Sequence, residues 1–155
     1  MTTQTEFQPQ ATDVDATAFA VLYAEVQQFY ARHMHQLDKG EADAWAAGFA
    51  EDASFSVPTL PEPVVGRSGL AAAVRRSAAA LVEAGEQHRH WPGVFDVVPQ
   101  PDGSVVVHSY TTVFASPLGG DSRVHRVCTC TDVLVRDEGG RLLIQDRKVG
   151  RDDLR

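Results

Sequence analysis

The sequence contains few cysteines, no excess of basic residues and no long apolar run, and each shortage excludes a class of protein. Its cysteines, Cys128 and Cys130, form a single CxC pair in a strand-like segment; a zinc site takes about four ligands, so we expect core packing and no metal. Lys and Arg number 14 against 21 Asp and Glu, which disfavours a nucleic-acid partner. No run approaches the roughly 20 apolar residues of a membrane span, and no export segment is recognisable. We therefore expect a cytoplasmic protein without a membrane partner.

Motifs that bind cofactors or activate a nucleophile are missing as well. The glycines near Gly66 and Gly119 lack the lysine and the following helix of a phosphate loop. No GxSxG motif marks a nucleophilic serine, and the second half lacks the alternating strands and helices of a dinucleotide fold. The sequence thus predicts no cofactor.

Length and composition favour one domain with a core of its own. Residues 1–12 are polar, contain a proline and lack periodicity, so we expect a disordered tail there. The single domain is expected to cover residues 13–155.

Hydrophobic periodicity predicts helices first and strands afterwards. Helical spacing covers residues 17–37, 41–49 and 68–84, with Asp13 or Asp15 capping the first helix and Ser68 the third. Strands are expected at 54–57 and, where the period becomes two, at 91–98, 104–116, 123–136 and 141–149. Short turns rich in Gly, Pro and Asp separate the later strands. The fold class is therefore α+β, with an antiparallel sheet carrying the helices on one face.

The first helix combines its apolar stripe with polar groups. Tyr30 and His33 fall on the stripe, and Asp38 lies near the helix end, so this face is a candidate pocket wall. The alternative is a core tyrosine with its hydroxyl at the boundary, and a capping acid before the turn at Gly40.

The strand segments carry several histidines. His88 and His90 precede one strand, and His108 lies in the next. Neutral histidine near a carboxylate moves protons near neutral pH, whereas a boundary histidine bonded to backbone is the alternative. The sequence leaves open whether His108 and Tyr110, or the residues between them, face inward, because a shift of one residue exchanges the two faces.

Three segments of the chain resemble the SnoaL-like branch of the nuclear transport factor 2-like superfamily. Residues 37–55, LDKGEADAWAAGFAEDASF, are similar to its hallmark, and residues 66–70 followed by Arg89 and His90 match its helix start and strand. The closing pattern is carried by Asp132, Leu134, Arg136, Leu142, Ile144 and Arg147. The chain looks most like small proteins of actinomycete aromatic polyketide pathways. It departs from the branch at Val94, where Asn is usual, at Cys130, where Tyr is common, and at Leu142, where Trp is common.

The resemblance implies a cone-shaped α+β barrel, in which a curved, mostly antiparallel sheet wraps around the N-terminal helices and encloses an apolar pocket. It also implies a homodimer formed through the open sheet face. The implied activity is that of a cofactor-independent acid/base enzyme, a dehydratase or cyclase acting on an aromatic polyketide intermediate through an enol or enolate. The alternative is a non-catalytic polyketide-binding or accessory protein that steers a partner oxygenase or cyclase.

The resemblance further implies the residues of the site. The implied catalytic residues are Asp38, His90, His108 and Tyr30. The residues expected to contact the substrate are His33, Met34, Trp91, Tyr110, Cys130 and Arg147. For Arg147 the sequence allows another interpretation, an ion pair with Asp132 across adjacent strands.

Overall fold

The structure is a computed structural model that describes residues 15–154. Its elements in chain order are α1 (Ala16–Asp38), α2 (Ala42–Ala46), β1 (Phe49–Ser56), β2 (Val64–Val65), α3 (Arg67–Ala84), β3 (Glu86–Pro99), β4 (Val105–Pro117), β5 (Arg123–Arg136) and β6 (Leu142–Arg151). The predicted tail at residues 1–12 lies outside the described residues, and the domain boundary at residue 13 stays a prediction.

Helix α1 forms where the apolar stripe predicted it. The side chain of Asp15 caps it by accepting from the Thr17 amide at 3.2 Å, which satisfies one of the free N–H groups of the first turn. Its buried residues are Val26, Tyr30, His33 and Met34. After Asp38 the chain reverses at Gly40, where φ is +72°, a conformation that glycine adopts without strain.

The segment after α1 differs from the prediction. Helix α2 ends at Ala46, and β1 begins at Phe49 rather than at residue 54. The reason is tertiary: β1 pairs in parallel with β6, and Phe49 lies opposite Ile144. Local sequence does not show this pairing, because the partner strand is the last one in the chain.

Helix α3 begins and ends at glycines. Gly66, with φ of +83°, is the N-cap, and Gly85, with φ of +63°, is the left-handed C-cap. The expectation that Ser68 caps this helix was wrong, because the helix already begins at Arg67, directly after the positive φ at Gly66. Leu70 and Val74 are buried and turn this face toward the sheet.

The last four strands form an antiparallel meander, and the strand order of the sheet is β2-β1-β6-β5-β4-β3. The sheet is curved and mostly antiparallel, as predicted, but it is not closed into a barrel. Strand β3 starts at Glu86, five positions before the predicted start, so the histidines expected at its mouth lie within it. A register shift between Gly93 and Asp96 interrupts its pairing with β4.

Alternation along the strands decides which side chains reach the interior. On β4 the buried positions are Val105, Val107, Ser109, Thr111, Val113 and Ala115. On β5 the buried side chains are those of Cys128, Cys130, Asp132 and Leu134. Because successive side chains point to opposite faces, these residues form the concave face against α1 and α3. No helix within residues 15–154 has both the length and the hydropathy of a membrane span.

Candidate active site

Asp38 and His90 form a hydrogen-bonded pair between the end of α1 and the inner face of β3. His90 Nδ1 lies 2.6 Å from Asp38 Oδ1, and the backbone N–H of His90 donates to Asp38 Oδ2 at 3.1 Å. The carboxylate is anchored to the strand twice, so it holds the imidazole in one orientation. The sequence separation of this pair means that only the packing of α1 along β3 brings it together.

The pair leaves one imidazole nitrogen available. A carboxylate only accepts hydrogen bonds, so Nδ1 of His90 donates to Asp38 and Nε2 is the nitrogen that remains. Within the described part of the chain, no side chain or backbone group is bonded to this Nε2. An imidazole that is oriented in this way can serve as a general base when Nε2 carries a lone pair.

Two cavities meet at this pair. The first, which we call the α1–β3 cavity, has a volume of about 660 Å³. Its lining includes Asp38 and His90 together with Tyr30, Met34, Arg89, Trp91, Pro92, Phe95 and Phe114. The second, which we call the α3 cavity, has a volume of about 700 Å³ and lies between the end of α1, α3 and the beginnings of β3 and β5. Asp38 and His90 line it as well, so a ligand in either cavity can reach the pair.

A second polar cluster lies deeper, between α1 and strands β5 and β6. Arg147 donates two hydrogen bonds to Asp132, from Nε at 2.9 Å and from Nη2 at 2.7 Å. The Tyr30 hydroxyl donates to Asp132 Oδ2 at 2.6 Å, and Cys130 Sγ donates to Oδ1 at 3.2 Å. Arg147 Nη1 also donates to His33 Nε2 at 3.1 Å. We call these five residues the core cluster.

Burial and charge shift the pKa values of His33, Tyr30 and Cys130 in the core cluster. Desolvation, followed by the positive charge of Arg147, holds the pKa of His33 well below its usual range, so His33 is neutral and accepts from Arg147. Desolvation and the neighbouring Asp132 carboxylate raise the pKa of the Tyr30 hydroxyl. Desolvation raises the pKa of the Cys130 thiol to about 12. The hydrogen bonds of the cluster are therefore made among its own members.

The predicted site residues divide into three groups. Tyr30, Met34, Asp38, His90 and Trp91 line the α1–β3 cavity, with Trp91 at its rim and 71% exposed. His33, Cys130 and Arg147 belong to the core cluster.

The third group lies elsewhere. His108 and Tyr110 point to the outer face of the sheet, where His108 Nδ1 pairs with Thr131 Oγ1 at 3.2 Å and Tyr110 is 57% exposed. The structure therefore corrects the expectation that His108 and Tyr110 join Asp38 and His90 in one pocket. The packing of β4 decides which of its faces points inward. Its small and β-branched residues at alternate positions are buried, and the larger side chains of His108 and Tyr110 lie outside.

One group of three side chains in the described residues has ligand atoms close enough for a metal ion. They belong to Glu86, His88 and His125 and lie within 4.8 Å of one another. Glu86 Oε1 already pairs with His88 Nε2 at 3.0 Å and with Arg123 Nη2 at 3.0 Å. The arginine opposes a divalent cation, and we propose no metal there.

Two residues that line the cavities had no role predicted from the sequence. Phe95 stacks on Tyr30 with ring centroids 4.9 Å apart, and Arg126 lines the α3 cavity. Arg126 alternates with Cys128 and Cys130 along β5. That alternation was the available sign that Arg126 shares their inward face.

Solved structures share this architecture. ActVI-ORFA from Streptomyces coelicolor is 30% identical, with 88% of this chain and 98% of that chain covered and a TM-score of 0.81. A Catenulispora acidiphila protein in complex with S-DNPA is 36% identical, with coverages of 86% and 96% and a TM-score of 0.75. An NTF2-like protein with a cystatin-like fold from Novosphingobium aromaticivorans, at 23% identity, coverages of 91% and 92% and a TM-score of 0.74, shows the same fold.

Sequence comparison gives the family. No curated protein matches the chain, whereas the family model described as a SnoaL-like domain matches residues 20–148. This range contains α2, α3, both members of the Asp38–His90 pair and the whole core cluster. The chain therefore belongs to the SnoaL-like family, within the NTF2-like fold.

Proposed function

We propose that the protein is a cofactor-independent acid/base enzyme of aromatic polyketide biosynthesis, a dehydratase or cyclase that acts through an enol or enolate. The observation that carries the proposal is the Asp38–His90 pair, at 2.6 Å, where two cavities meet. A relative in complex with the small molecule S-DNPA supports a ligand-binding role for this fold.

In the proposed mechanism His90 Nε2 removes a proton from the carbon next to a substrate carbonyl. Asp38 stabilises the imidazolium that forms, because the carboxylate accepts its Nδ1 proton. In a dehydration the imidazolium returns the proton to the leaving hydroxyl; in a cyclisation the enolate carbon attacks a second carbonyl, whose oxygen takes the proton. His108 lies on the outer face and the Tyr30 hydroxyl donates to Asp132, so His90 carries both transfers.

Deuterium exchange at the α-carbon of 2-tetralone, followed by NMR in D₂O, tests the proton-transfer step without knowledge of the natural substrate. We expect His90→Gln and Asp38→Asn to lower the catalysed exchange rate by about 10²- to 10⁴-fold. Asp43→Asn, at an exposed position of α2, is the matched control. Exchange that persists in both pair variants would rule out this mechanism.

The same assay with His108→Gln tests whether a residue on the outer face of β4 takes part in proton transfer. The geometry predicts an unchanged rate for this variant. A loss comparable to that of His90→Gln would return His108 to the mechanism.

One observation favours the second candidate, a non-catalytic polyketide-binding or accessory protein. Of the four implied catalytic residues, only His90 keeps an unbonded group, its Nε2, at the α1–β3 and α3 cavities. In that case the wild-type protein would bind aromatic ligands, and no catalysed exchange would depend on the pair.

We also propose a homodimer through the outer face of the sheet, in a cytoplasmic protein. Trp91, Val94, Tyr110 and Val127 are exposed there and line one shallow depression. A second copy would cover this apolar surface, as the family resemblance implies. Sedimentation equilibrium of the full chain should give the mass of two copies, and Val127→Lys should shift it toward one; a monomeric wild-type protein would contradict the proposal.

A further inference from the structure

The α3 cavity has two chemically different walls. One wall is apolar and comes from α1 and α3, with Leu37, Val74, Ala78 and Leu81. The opposite wall comes from β3 and β5 and carries His88, Arg123, His125 and Arg126. A cavity with one apolar wall and one polar wall that carries Arg126 suits a flat apolar ligand that bears a negative charge.

Arg126 stands apart from the other arginines of this region. Arg123 pairs with Glu86 at 3.0 Å, and Arg151 pairs with Asp153 at 2.6 Å. The Nε of Arg126 is buried and has no hydrogen-bond partner among residues 15–154. The Asp153 carboxylate interacts electrostatically with Arg126 but makes its ion pair with Arg151. A buried donor without an acceptor is costly, and a carboxylate is the acceptor that matches the guanidinium fork.

The two acids in the lining of the cavity are each bonded to a partner other than Arg126. Asp38 is committed to His90, and Glu86 is committed to His88 and Arg123. Burial and then the neighbouring Arg126 lower the pKa of His125, and Glu86 opposes this shift to a smaller extent. A ligand carboxylate could accept a hydrogen bond from the Nε of Arg126, which no group of residues 15–154 accepts from.

We propose that the α3 cavity binds an aromatic ligand through a carboxylate, which pairs with the guanidinium of Arg126 while the rings pack on Val74 and Leu81. Because Asp38 and His90 line the same cavity, a ligand anchored in this way presents its carbon skeleton to them. The proposal deepens the function proposed above and rests on it for the aromatic polyketide character of the ligand. Arg126 is then the residue that selects acids over neutral analogues.

A double comparison of probes and variants tests the carboxylate preference. Calorimetric titration of the full chain with 2-naphthoate and with neutral 2-naphthamide, in excess EDTA, measures the preference directly. We expect the wild-type protein to prefer 2-naphthoate. Arg126→Gln should weaken 2-naphthoate binding by about 10- to 100-fold and leave 2-naphthamide binding unchanged. Arg76→Gln, which removes an exposed charge of α3 outside the cavity, should behave as wild type.

Several results would overturn the assignment. The wild-type protein could bind both probes equally or bind neither of them. Arg126→Gln could weaken the binding of both probes equally. Finally, the preference for 2-naphthoate could appear only without EDTA and depend on Glu86, His88 and His125, which would indicate a metal ion. Circular dichroism confirms that Arg126→Gln is folded, and Arg126→Lys should recover part of the preference.

The two proposals can fail separately. His90→Gln should retain the preference for 2-naphthoate while it loses exchange of 2-tetralone, a ketone without a carboxylate. Loss of exchange alone therefore reports on the Asp38–His90 pair, and loss of the preference alone reports on Arg126.

Discussion

Asp132 and Asp38 each hold a partner capable of positive charge, and their surroundings differ in one decisive respect. Asp132 is fully buried, and its two oxygens are bonded by Arg147, Tyr30 and Cys130. Asp38 holds His90 beside two cavities, and the far nitrogen of His90 remains unbonded within residues 15–154. A saturated, buried network stabilises the fold, whereas an oriented group with a free lone pair at a cavity can act on a ligand.

The largest expected effect on stability comes from removing the negative charge of Asp132 from the core cluster. Asp132→Asn leaves the Arg147 charge buried without its counterion, which should lower the free energy of unfolding by about 3 to 5 kcal/mol. Urea denaturation measures this loss. Asp146→Asn on β6, whose carboxylate lies 4.0 Å from Lys148 at the surface, is the control and should change stability little. Equal effects of the two variants would contradict the comparison.

Acidic pH should destabilise the folded protein through His33 of the core cluster. The folded protein keeps His33 neutral because its pKa is lowered, whereas the unfolded chain binds a proton below its ordinary pKa of about 6.5. Only the unfolded state therefore gains a proton at His33 as the pH falls. The contribution of neutral His33 to the free energy of unfolding is complete above about pH 6.5 and should shrink by about 2 kcal/mol between pH 7 and pH 5. Urea denaturation at both pH values should show a smaller loss in His33→Gln than in the wild type. Equal losses would indicate that His33 is protonated in the folded state.

A substitution of Tyr30 should have a smaller effect on stability. It tests whether Tyr30 acts in structure or in proton transfer, because this residue lines the α1–β3 cavity and also belongs to the core cluster. Tyr30→Phe removes one hydrogen bond to Asp132 and should cost about 1 to 2 kcal/mol of stability. Exchange of 2-tetralone, corrected for the folded fraction, should stay near the wild-type rate. A rate loss as large as that of His90→Gln would assign Tyr30 to proton transfer.

The sequence predicted the α+β class, the meander and the region of Asp38 and His90. The apolar stripe placed Tyr30 and His33 on the inner face of α1, and the family resemblance pointed to the pair. The sequence could not show that Tyr30 and His90 have different roles. That difference depends on the hydrogen bond from Tyr30 to Asp132, which joins residues 102 positions apart.

The errors have physical causes of the same kind. His108 and Ser109 are adjacent on a strand whose two faces are similar in hydropathy, so only the packing of β4 against the helices chose which faced inward. The start of β1 at Phe49 depended on a parallel partner, β6, that local periodicity does not reveal. Arg126 lies on an alternating pattern that was visible in the sequence, but the missing hydrogen-bond partner of its buried Nε is a property of the folded neighbourhood.

By itself the sequence determined the helices, the antiparallel meander, the turns at glycine and the family, because these depend on local periodicity, backbone conformation and short motifs. The tertiary structure alone decided which acids are saturated and which are free. The saturation of a carboxylate depends on side chains brought together from distant strands and helices, and on how much water their packing excludes. That distinction separates Asp132, which holds the core, from Asp38, which orients the proposed base.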